Sequence, residues 1–293
     1  MSIQKATARY EAWLRKHLRL IQEDLDKKHE AMAGQPFPFL RATYYRWAKV
    51  WPQVCAELAS APKALAVGDL HVENFGTWRD AEGRLVWGIN DFDEAWRLAY
   101  TNDLVRLAAS ANLAIAEEHL GMDPKHAAKA MLEGYQEGLK AGGRPFVLAE
   151  GHRALRETAV HRLKDPEAFW KKLEQLRPLK SGVPAGARKA MARLMPERGL
   201  PYYVVHRVSG LGSLGRQRFV AIAEWHGGKI AREAKALAPS ACLWAADGKG
   251  PAKILYQENL DRACRCPDPF VRLKGRWIVR RLAPDCSRIE LAS

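Results

Sequence analysis

The 293-residue chain is 47% hydrophobic and 27% charged, which allows a core for two lobes of ordinary size and excludes a mostly disordered chain. Because no apolar run reaches the roughly 18 residues of a membrane helix and the charged N-terminus lacks a signal core, we expect a cytoplasmic protein without a membrane partner. The formal net charge is +14, yet residues 1–139 carry 17 basic and 19 acidic side chains, so the whole excess lies in the remainder of the chain.

The first half of the sequence predicts helices around short strands and two acidic segments. Apolar residues recur at helical spacing and predict helices over 3–33, 39–59, 101–119 and 123–140. Strands are predicted over 64–67 and 84–90. The first strand runs into a polar loop at 68–76, and the second leads to the acidic segment 91–94.

Residues 141–200 are basic and mostly helical, with a linker rich in proline and glycine at 178–186. From residue 201 apolar and polar residues alternate, which is typical of strands. Strands are predicted over 202–209, 216–225 and 229–236, followed by a helix over 251–263 and a hairpin over 270–282. We therefore expect an α+β fold with a mostly helical domain over 1–200 and a β-rich domain over 201–293.

Three glycines, Gly210, Gly212 and Gly215, form a G-x-G-x-x-G pattern between two predicted strands. A dinucleotide-binding fold needs a helix immediately after the last glycine, whereas protein kinases cover nucleotide phosphates with a strand–glycine loop–strand hairpin. Glycine lets backbone N–H groups approach phosphate oxygens closely. We therefore predict a nucleotide-phosphate site at these glycines and Ser213; a flexible hairpin tip is the alternative.

A kinase-like site also needs a lysine on a neighbouring strand to contact the nucleotide phosphates. Lys235 fits this role, because it follows Gly215 by twenty residues across a tight turn at 226–228. Arg232 is the alternative, although its planar guanidinium is a poor substitute for a compact ammonium charge. Glu258, on the next predicted helix, is a candidate ion-pair partner for Lys235.

Asp69, Asn74 and Asp91 form the strongest group of polar residues in the sequence. Mg²⁺ prefers carboxylate and other oxygen ligands together with substrate phosphates, and a phosphotransferase needs one further carboxylate to orient the attacking hydroxyl. We predict Asp69 as the catalytic base and Asn74 and Asp91 as the metal ligands. Asp103 and Arg106, three residues apart on a predicted helix, are expected to form a structural ion pair.

The acidic segments resemble motifs of known phosphotransferases. Gly68-Asp-Leu-His-x-x-Asn74 with Ile89-Asn-Asp-Phe92 is similar to the catalytic loop and metal motif of aminoglycoside and choline phosphotransferases, which have a protein-kinase-like fold. The chain as a whole resembles an uncharacterised bacterial family, domain-of-unknown-function family 2252 (DUF2252). The similar stretches are residues 36–43, 68–76, 90–94, 103–110, 208–215, 233–235 and 279–282.

The shorter resemblance implies a two-lobed, protein-kinase-like fold, with ATP as co-substrate, Mg²⁺ as the metal and an unidentified hydroxyl compound as acceptor. In kinases the glycine loop and the lysine precede the catalytic loop, whereas here they follow it. This order implies a circular permutation, with the helical lobe first and the β-rich nucleotide lobe last. Lys235 should then point at Asp91. Relatives tend to continue beyond residues 279–282, and a missing helical element would make this chain a weakened or inactive member of the family.

Two other functions stay open on the sequence alone. His71, Glu73, Asp91 and Asp93 are residue types that bind transition metals, which would suit a metal-dependent hydrolase. The basic charge after residue 139 favours an anionic partner. A non-catalytic protein that binds nucleotides or nucleic acid is therefore the other alternative, and the same charge would suit an anionic acceptor.

Overall fold

The computed structural model describes residues 1–117 and 121–286. This part of the chain combines helices with three antiparallel sheets, which confirms the predicted α+β class. None of the helices within it has both the length and the apolar character that a membrane crossing requires.

Five helices precede the first strand: α1 (Ile3–Arg15), α2 (Gln22–Gly34), α3 (Pro36–Ala42), α4 (Tyr44–Val54) and α5 (Ala56–Ala59). The two long helices predicted in this region are each divided. The first division has a tertiary cause, because Leu20 forms an antiparallel bridge with Arg216 and the Ile21 N–H donates to the Gly215 carbonyl at 2.8 Å. The chain between α1 and α2 therefore pairs with a segment about two hundred residues away instead of continuing the helix.

The first helix illustrates how the sequence specifies this packing. The hydroxyl of Ser2 accepts a backbone N–H of the first turn of α1 and so caps the helix. Ala6, Tyr10 and Leu14 follow at four-residue spacing, and all three are buried. The ring of Tyr10 stacks on that of Tyr45 in α4, with 4.4 Å between the ring centroids. The apolar stripe thus fixes α1 on α4.

Five short strands belong to the first half: β1 (Lys63–Ala66), β2 (Phe75–Arg79), β3 (Leu85–Ile89), β4 (Trp96–Ala99) and β5 (Phe146–Val147). All pairings among them are antiparallel: β1 pairs with β4, and β3 pairs with both β2 and β5. The segment between β1 and β2, residues 67–74, is the acidic loop. β4 was not predicted, and the loop expected over 68–76 ends in β2.

Five further helices follow in chain order: α6 (Thr101–Glu117), α7 (Pro124–Lys140), α8 (Arg153–His161), α9 (Pro166–Glu174) and α10 (Ala185–Ala192). α6 and α7 correspond to predicted helices, and residues 118 and 119 of the first prediction lie outside the described residues. Asp123 and Asp165 cap α7 and α9, each before a proline at the first helical position.

The C-terminal part contains a five-stranded antiparallel sheet made of β6 (Tyr203–His206), β7 (Arg218–Trp225), β8 (Gly228–Ala236), β9 (Arg272–Lys274) and β10 (Trp277–Leu282). The strand order is β6-β7-β8-β10-β9, and two short helices, α11 (Ala241–Ala245) and α12 (Tyr256–Arg262), connect β8 to β9. His226 and Gly227 have positive φ angles of 48° and 78°, as a two-residue hairpin turn requires. The connection between β6 and β7 contains the glycine loop, residues 210–215.

The two faces of this sheet differ, because side chains alternate along each strand. One face packs on α10, where Met191 is fully buried. The other face packs on Leu173 of α9 at one end, through Val220 and its neighbours. Further along this second face, β8 presents the buried polar side chains Glu233 and Lys235. The apolar end of the face therefore anchors the sheet, and the polar end faces the acidic loop.

Candidate active site

The acidic loop is held in place by the N-terminal turn of α6. Asp103 accepts hydrogen bonds from the N–H groups of Val67 and Gly68, at 2.7 and 3.0 Å. Asn102 donates to the carbonyl of Gly68 at 3.2 Å. Two neighbouring side chains of one helix thus satisfy three backbone groups of a buried loop, which fixes the backbone that carries the catalytic candidate Asp69.

Glycine is required at position 68. The residue has a φ of 83°, a conformation that side chains with a Cβ atom rarely adopt. A Cβ atom there would lie 2.3 Å from the carbonyl oxygen of Glu94. The loop can therefore pass close to the second acidic segment only because this residue has no side chain.

Asp69, the predicted catalytic base, is paired with Arg106 of α6. Nε and Nη2 of Arg106 lie 2.7 and 2.5 Å from Asp69 Oδ1. The guanidinium is buried and lies 5.0 Å from the ring centroids of both Tyr44 and Trp47. Asp103 and Arg106 therefore bind the acidic loop instead of forming the structural ion pair expected from their spacing.

Asn74 joins the two acidic segments. Its Nδ2 donates to the backbone carbonyls of Asp69 at 3.2 Å and of Asp91 at 3.1 Å. The backbone N–H of Asn90 donates in turn to the Asn74 carbonyl at 3.1 Å. Because both amide hydrogens are engaged, the side-chain oxygen of Asn74 is the atom left to act as a ligand.

Lys235 reaches the second acidic segment from the sheet. Its Nζ lies 3.0 Å from Asp91 Oδ2 and 2.7 Å from Asp93 Oδ2. Burial lowers the pKa of Lys235, and the two carboxylates oppose this shift. The expected approach of Lys235 to Asp91 is therefore found, although the two residues are 144 positions apart.

Two residues considered alongside Lys235 lie elsewhere. Arg232 donates from Nε to the Leu194 carbonyl at 2.7 Å, because alternation along β8 turns it to the opposite face of the sheet. Glu258 pairs with Arg97 at 2.8 Å. Glu258 is therefore not the partner of Lys235 that it was considered as a candidate for, and the sheet offers Lys235 rather than Arg232 to the acidic segment.

Arg216 connects the glycine loop to the same segment, a role that sequence reasoning missed. It follows the last glycine, and its Nη2 lies 2.9 Å from Glu94 Oε1 while Nη1 lies 3.5 Å from Asp93 Oδ2. Burial and the neighbouring Asp91 raise the pKa of Asp93 to about 6, against the effect of Lys235. The only signal in the sequence was the position of Arg216 directly beside the glycine pattern.

Glu233 organises the arginines behind Lys235 and was also missed. Its carboxylate is completely buried and lies 2.5 Å from Arg207, 2.7 Å from Arg218 and 2.7 Å from Arg280. Burial alone would raise the pKa of Glu233, but the three guanidinium groups outweigh it and hold the pKa well below its usual value. This cluster fixes the polar face of the sheet around Lys235.

The glycine loop is a compact turn. Gly210 and Gly215 have φ angles of 76° and 89°, and residues 211–213 form one 3-10 turn between them. The hydroxyl of Ser213 accepts a hydrogen bond from Arg218 Nη2 at 2.7 Å. Ser213 is thus hydrogen-bonded to strand β7. The glycines that were predicted to bind phosphate form an ordered turn.

This loop lies against the acidic loop. A Cβ atom on Gly212 would lie 3.0 Å from the Arg41 carbonyl oxygen and 3.7 Å from Asp69 Oδ2. The two loops line one cavity of about 50 Å³, together with Asn74 and Asp91. Cavities that hold small organic ligands measure about 300–1,000 Å³, so this space is too small for a nucleotide. The structure therefore shows the glycine loop closed over the predicted base and metal ligands.

Lys28 of α2 holds the glycine loop in this closed position. Its Nζ donates to the Gly212 carbonyl at 3.0 Å, and the side chain is buried. Burial, assisted by the positive charge of Arg216, lowers the pKa of Lys28 to about 8. Lys28 is therefore a buried ammonium group whose positive charge is energetically unfavourable in the folded state.

Replacing Lys28 by methionine should remove a pH dependence of stability. The folded chain binds fewer protons than the unfolded chain between pH 8 and pH 10.5, so the free energy of unfolding of the wild type should rise with pH across this window, by up to about 3 kcal/mol from this group. Denaturant unfolding at several pH values measures the rise. The exposed neighbour Lys27, replaced in the same way, should leave the rise unchanged; an equal rise in the Lys28 variant would contradict the assignment.

The residues of the hydrolase alternative are divided among other partners. Glu73 is paired with Arg41, while Asp91 and Asp93 share Lys235. Within residues 1–117 and 121–286, no three His, Cys, Asp or Glu side chains are grouped as a metal site. The polar side chains that line the cavity include four carboxylates, an amide, an imidazole and a lysine: Asp69, Asp91, Asp93, Glu94, Asn74, His71 and Lys28.

Fold and site together define an α+β protein with a buried carboxylate–amide–lysine cluster under a glycine loop. The model of the family DUF2252, described as an uncharacterized protein conserved in bacteria, matches residues 19–170. The match covers more than half of the chain, which therefore belongs to this family. It includes the acidic loop and Asp91, whereas the glycine loop and Lys235 lie beyond it. No curated protein and no solved structure matches the chain.

Proposed function

We propose that this chain is a kinase-like phosphotransferase that transfers the γ-phosphoryl group of ATP, with Mg²⁺, to a hydroxyl group of an acceptor. The observation that carries the proposal is the contact of Lys235 Nζ with Asp91, 3.0 Å apart, in a cluster that also contains Asp69 and Asn74. A glycine loop, a lysine, a carboxylate–amide pair and a further carboxylate are the parts that phosphoryl transfer requires.

The donor atoms fit magnesium. The side-chain oxygen of Asn74 and the carboxylate of Asp91 are hard oxygen ligands, and the Asp91–Asp93 pair already holds a cationic group, the ammonium of Lys235. Mg²⁺ bound there would neutralise charge that develops on the transferred phosphoryl group. Asn74 and Asp91 are the residues that would hold it.

The remaining residues have separate tasks. Asp69 accepts the proton of the attacking hydroxyl, and Arg106 orients its carboxylate. The backbone N–H groups of the glycine loop, with Ser213, bind phosphate oxygens, and Lys235 supplies a compact positive charge. Lys235 contacts Asp91, one of the two proposed metal ligands. Its charge would therefore lie close to both the metal ion and the phosphates that this ion binds.

The proposal includes the architecture predicted from the sequence. Residues 1–200 would form the catalytic lobe and residues 201–293 the nucleotide lobe, in an order permuted relative to kinases. The contact between the glycine loop and the acidic loop supports this arrangement, because two segments about 140 residues apart line one cavity. Since the cavity measures about 50 Å³, the glycine loop must lift from Asp69 before a nucleotide can enter.

Replacing Lys235 by alanine should weaken the binding of Mg²⁺–ATP roughly ten- to a hundredfold, because a charge-assisted contact to phosphate is lost. Isothermal titration calorimetry with ATP, with and without Mg²⁺, measures the effect. Lys229→Ala is the matched control, since Lys229 lies on the same strand and pairs with Glu174 outside the site.

Wild-type protein that binds no ATP at millimolar concentration in the presence of Mg²⁺ would contradict the proposed function. Equal affinities of the Lys235 and Lys229 variants would contradict the role of Lys235. Thermal unfolding of both variants shows whether a loss of binding reflects a loss of folding.

A further inference from the structure

A second cavity, of about 430 Å³, lies beside the first, and both are lined by Arg41, Gly210 and Leu211. We refer to it as the basic cavity, because six basic side chains line it against two acidic ones, Glu73 and Asp268. The basic residues are Arg41, Lys164, Arg207, Arg265, Arg280 and Arg281. An enclosed excess of positive charge is the electrostatic environment that attracts an anionic ligand.

Three of these arginines have close carboxylate partners. Arg41 is paired with Glu73, while Arg207 and Arg280 are paired with the buried Glu233. These ion pairs fix the walls of the basic cavity, and because the single carboxylate of Glu233 is shared by three arginines, a net positive charge remains there. The guanidinium groups concerned are held by their carboxylates, so the direct contacts to a ligand fall to the other arginines.

Arg265 and Arg281 are these other arginines. The guanidinium of Arg265 lies 4.1 Å from the ring centroid of Trp78. Arg281 lies 3.4 Å from Asp285, a carboxylate that also pairs with Arg79, and its guanidinium stacks at 4.9 Å on the ring of Phe270. Stacking on an aromatic ring fixes the plane of a guanidinium while its N–H groups stay available to phosphate oxygens.

Unpartnered donors are concentrated around the basic cavity. The Nε atoms of Arg41, Arg265 and Arg281 and the Nε1 atom of Trp78 are buried and have no hydrogen-bond partner within the part of the chain that the structure describes. Buried donors without partners are rare in folded proteins, since each carries a desolvation penalty. Four of them around one basic cavity indicate side chains arranged for an acceptor that comes from a ligand.

We propose that the basic cavity binds the phosphate group of a phosphate-bearing small molecule, with Arg265 and Arg281 as its main contacts. Phe169, Val271 and Leu282 form an apolar part of the wall that suits the organic part of such a molecule. The identity of this molecule rests on the proposed function. Beside a phosphoryl-transfer site, the phosphate group belongs either to a phosphorylated acceptor or to the nucleotide itself.

Titration with inorganic pyrophosphate in the absence of Mg²⁺ tests the phosphate site. The wild type should bind pyrophosphate, and Arg265→Gln and Arg281→Gln should each weaken binding roughly ten- to a hundredfold. The exposed Arg153, replaced by glutamine, is the control with the same change of charge and should bind as the wild type does. No binding to the wild type, or equal affinities in all three variants, would overturn the proposal.

Folding of the variants is controlled with Arg265→Lys and Arg281→Lys, which keep the positive charge. If a glutamine variant fails to fold, the lysine variant decides, because lysine cannot reproduce the planar stacked geometry and should still bind pyrophosphate at least about tenfold more weakly. A lysine variant with wild-type affinity would overturn the assigned contacts.

Competition with Mg²⁺–ATP identifies the source of the phosphate. If saturating Mg²⁺–ATP displaces pyrophosphate, the basic cavity holds phosphates of the nucleotide; if both bind together, it holds a phosphorylated acceptor, and both results support the site. Pyrophosphate binding that depends on Arg281, in a protein that binds no Mg²⁺–ATP, would refute the proposed function while retaining the phosphate site.

Discussion

Asp69→Asn is expected to slow phosphoryl transfer by a factor on the order of 10²–10⁴, the usual contribution of a general base. Asparagine keeps the shape of the side chain but cannot accept the proton of the attacking hydroxyl. In the assay water takes the place of the acceptor, and the release of inorganic phosphate from Mg²⁺–ATP measures the rate. Affinity for Mg²⁺–ATP should change little, because Asn74, Asp91 and Lys235 are untouched.

Two features separate this catalytic effect from a structural one. Asp69 neutralises the buried Arg106, so the variant should also be less stable, and unfolding curves must show that it is folded at the assay temperature. The kinetic parameters then decide: kcat should fall in the folded Asp69→Asn variant, while the affinity for Mg²⁺–ATP stays close to that of the wild type. Asp247→Asn, at an exposed position with a φ of 51° that asparagine tolerates, is the control. An unchanged rate in Asp69→Asn would exclude it as the base.

The elements that could be predicted are those set by local patterns. The hairpins after residue 201 follow from strict alternation and from the glycines at their turns, as in β7 and β8. α6 and α7 follow from helical spacing and, for α7, from the proline after its capping Asp123. Each of these signals lies within a few residues of the structure that it specifies.

The elements that were missed depend on distant contacts. The break between α1 and α2 occurs because Leu20 pairs with Arg216, and no residue in the local sequence encodes that partner. α11 is five residues long and buried on all sides, so it shows no amphipathic period. In these segments tertiary packing therefore overrides the local preference for secondary structure.

The candidate site divides in the same way. Asp69, Asn74 and Asp91 are recognisable because one loop and one strand end place them at short, characteristic spacings. Arg216 and Lys28 act only through partners 122 and 184 positions away, Glu94 and Gly212. The role of these two charged side chains becomes visible only when the fold places the glycine loop against the acidic loop. The residues that supply the chemistry are thus visible in the sequence, whereas those that hold the loops together are not.

Glu233→Gln is expected to be the most destabilising of the changes considered, with a loss of about 3–5 kcal/mol in the free energy of unfolding at pH 7. The carboxylate is completely buried among Arg207, Arg218 and Arg280, so its removal leaves three guanidinium groups without their counterion. Glutamine has nearly the same volume, so the loss is electrostatic. Glu224→Gln, at an exposed position of the neighbouring strand β7, should cost less than about 0.5 kcal/mol.

The pH dependence of the same variant tests the cause. Because the pKa of Glu233 is held well below its unfolded value, its contribution to stability is fully present above about pH 4.5 and is lost as the pH falls toward its folded pKa. The stability difference between wild type and Glu233→Gln should therefore shrink when unfolding is measured at successively lower pH below 4.5. A stability difference that stays constant down to pH 3 would assign the loss to packing. The sheet behind Lys235 would then be stabilised by the packing of its side chains rather than by the buried ion pairs.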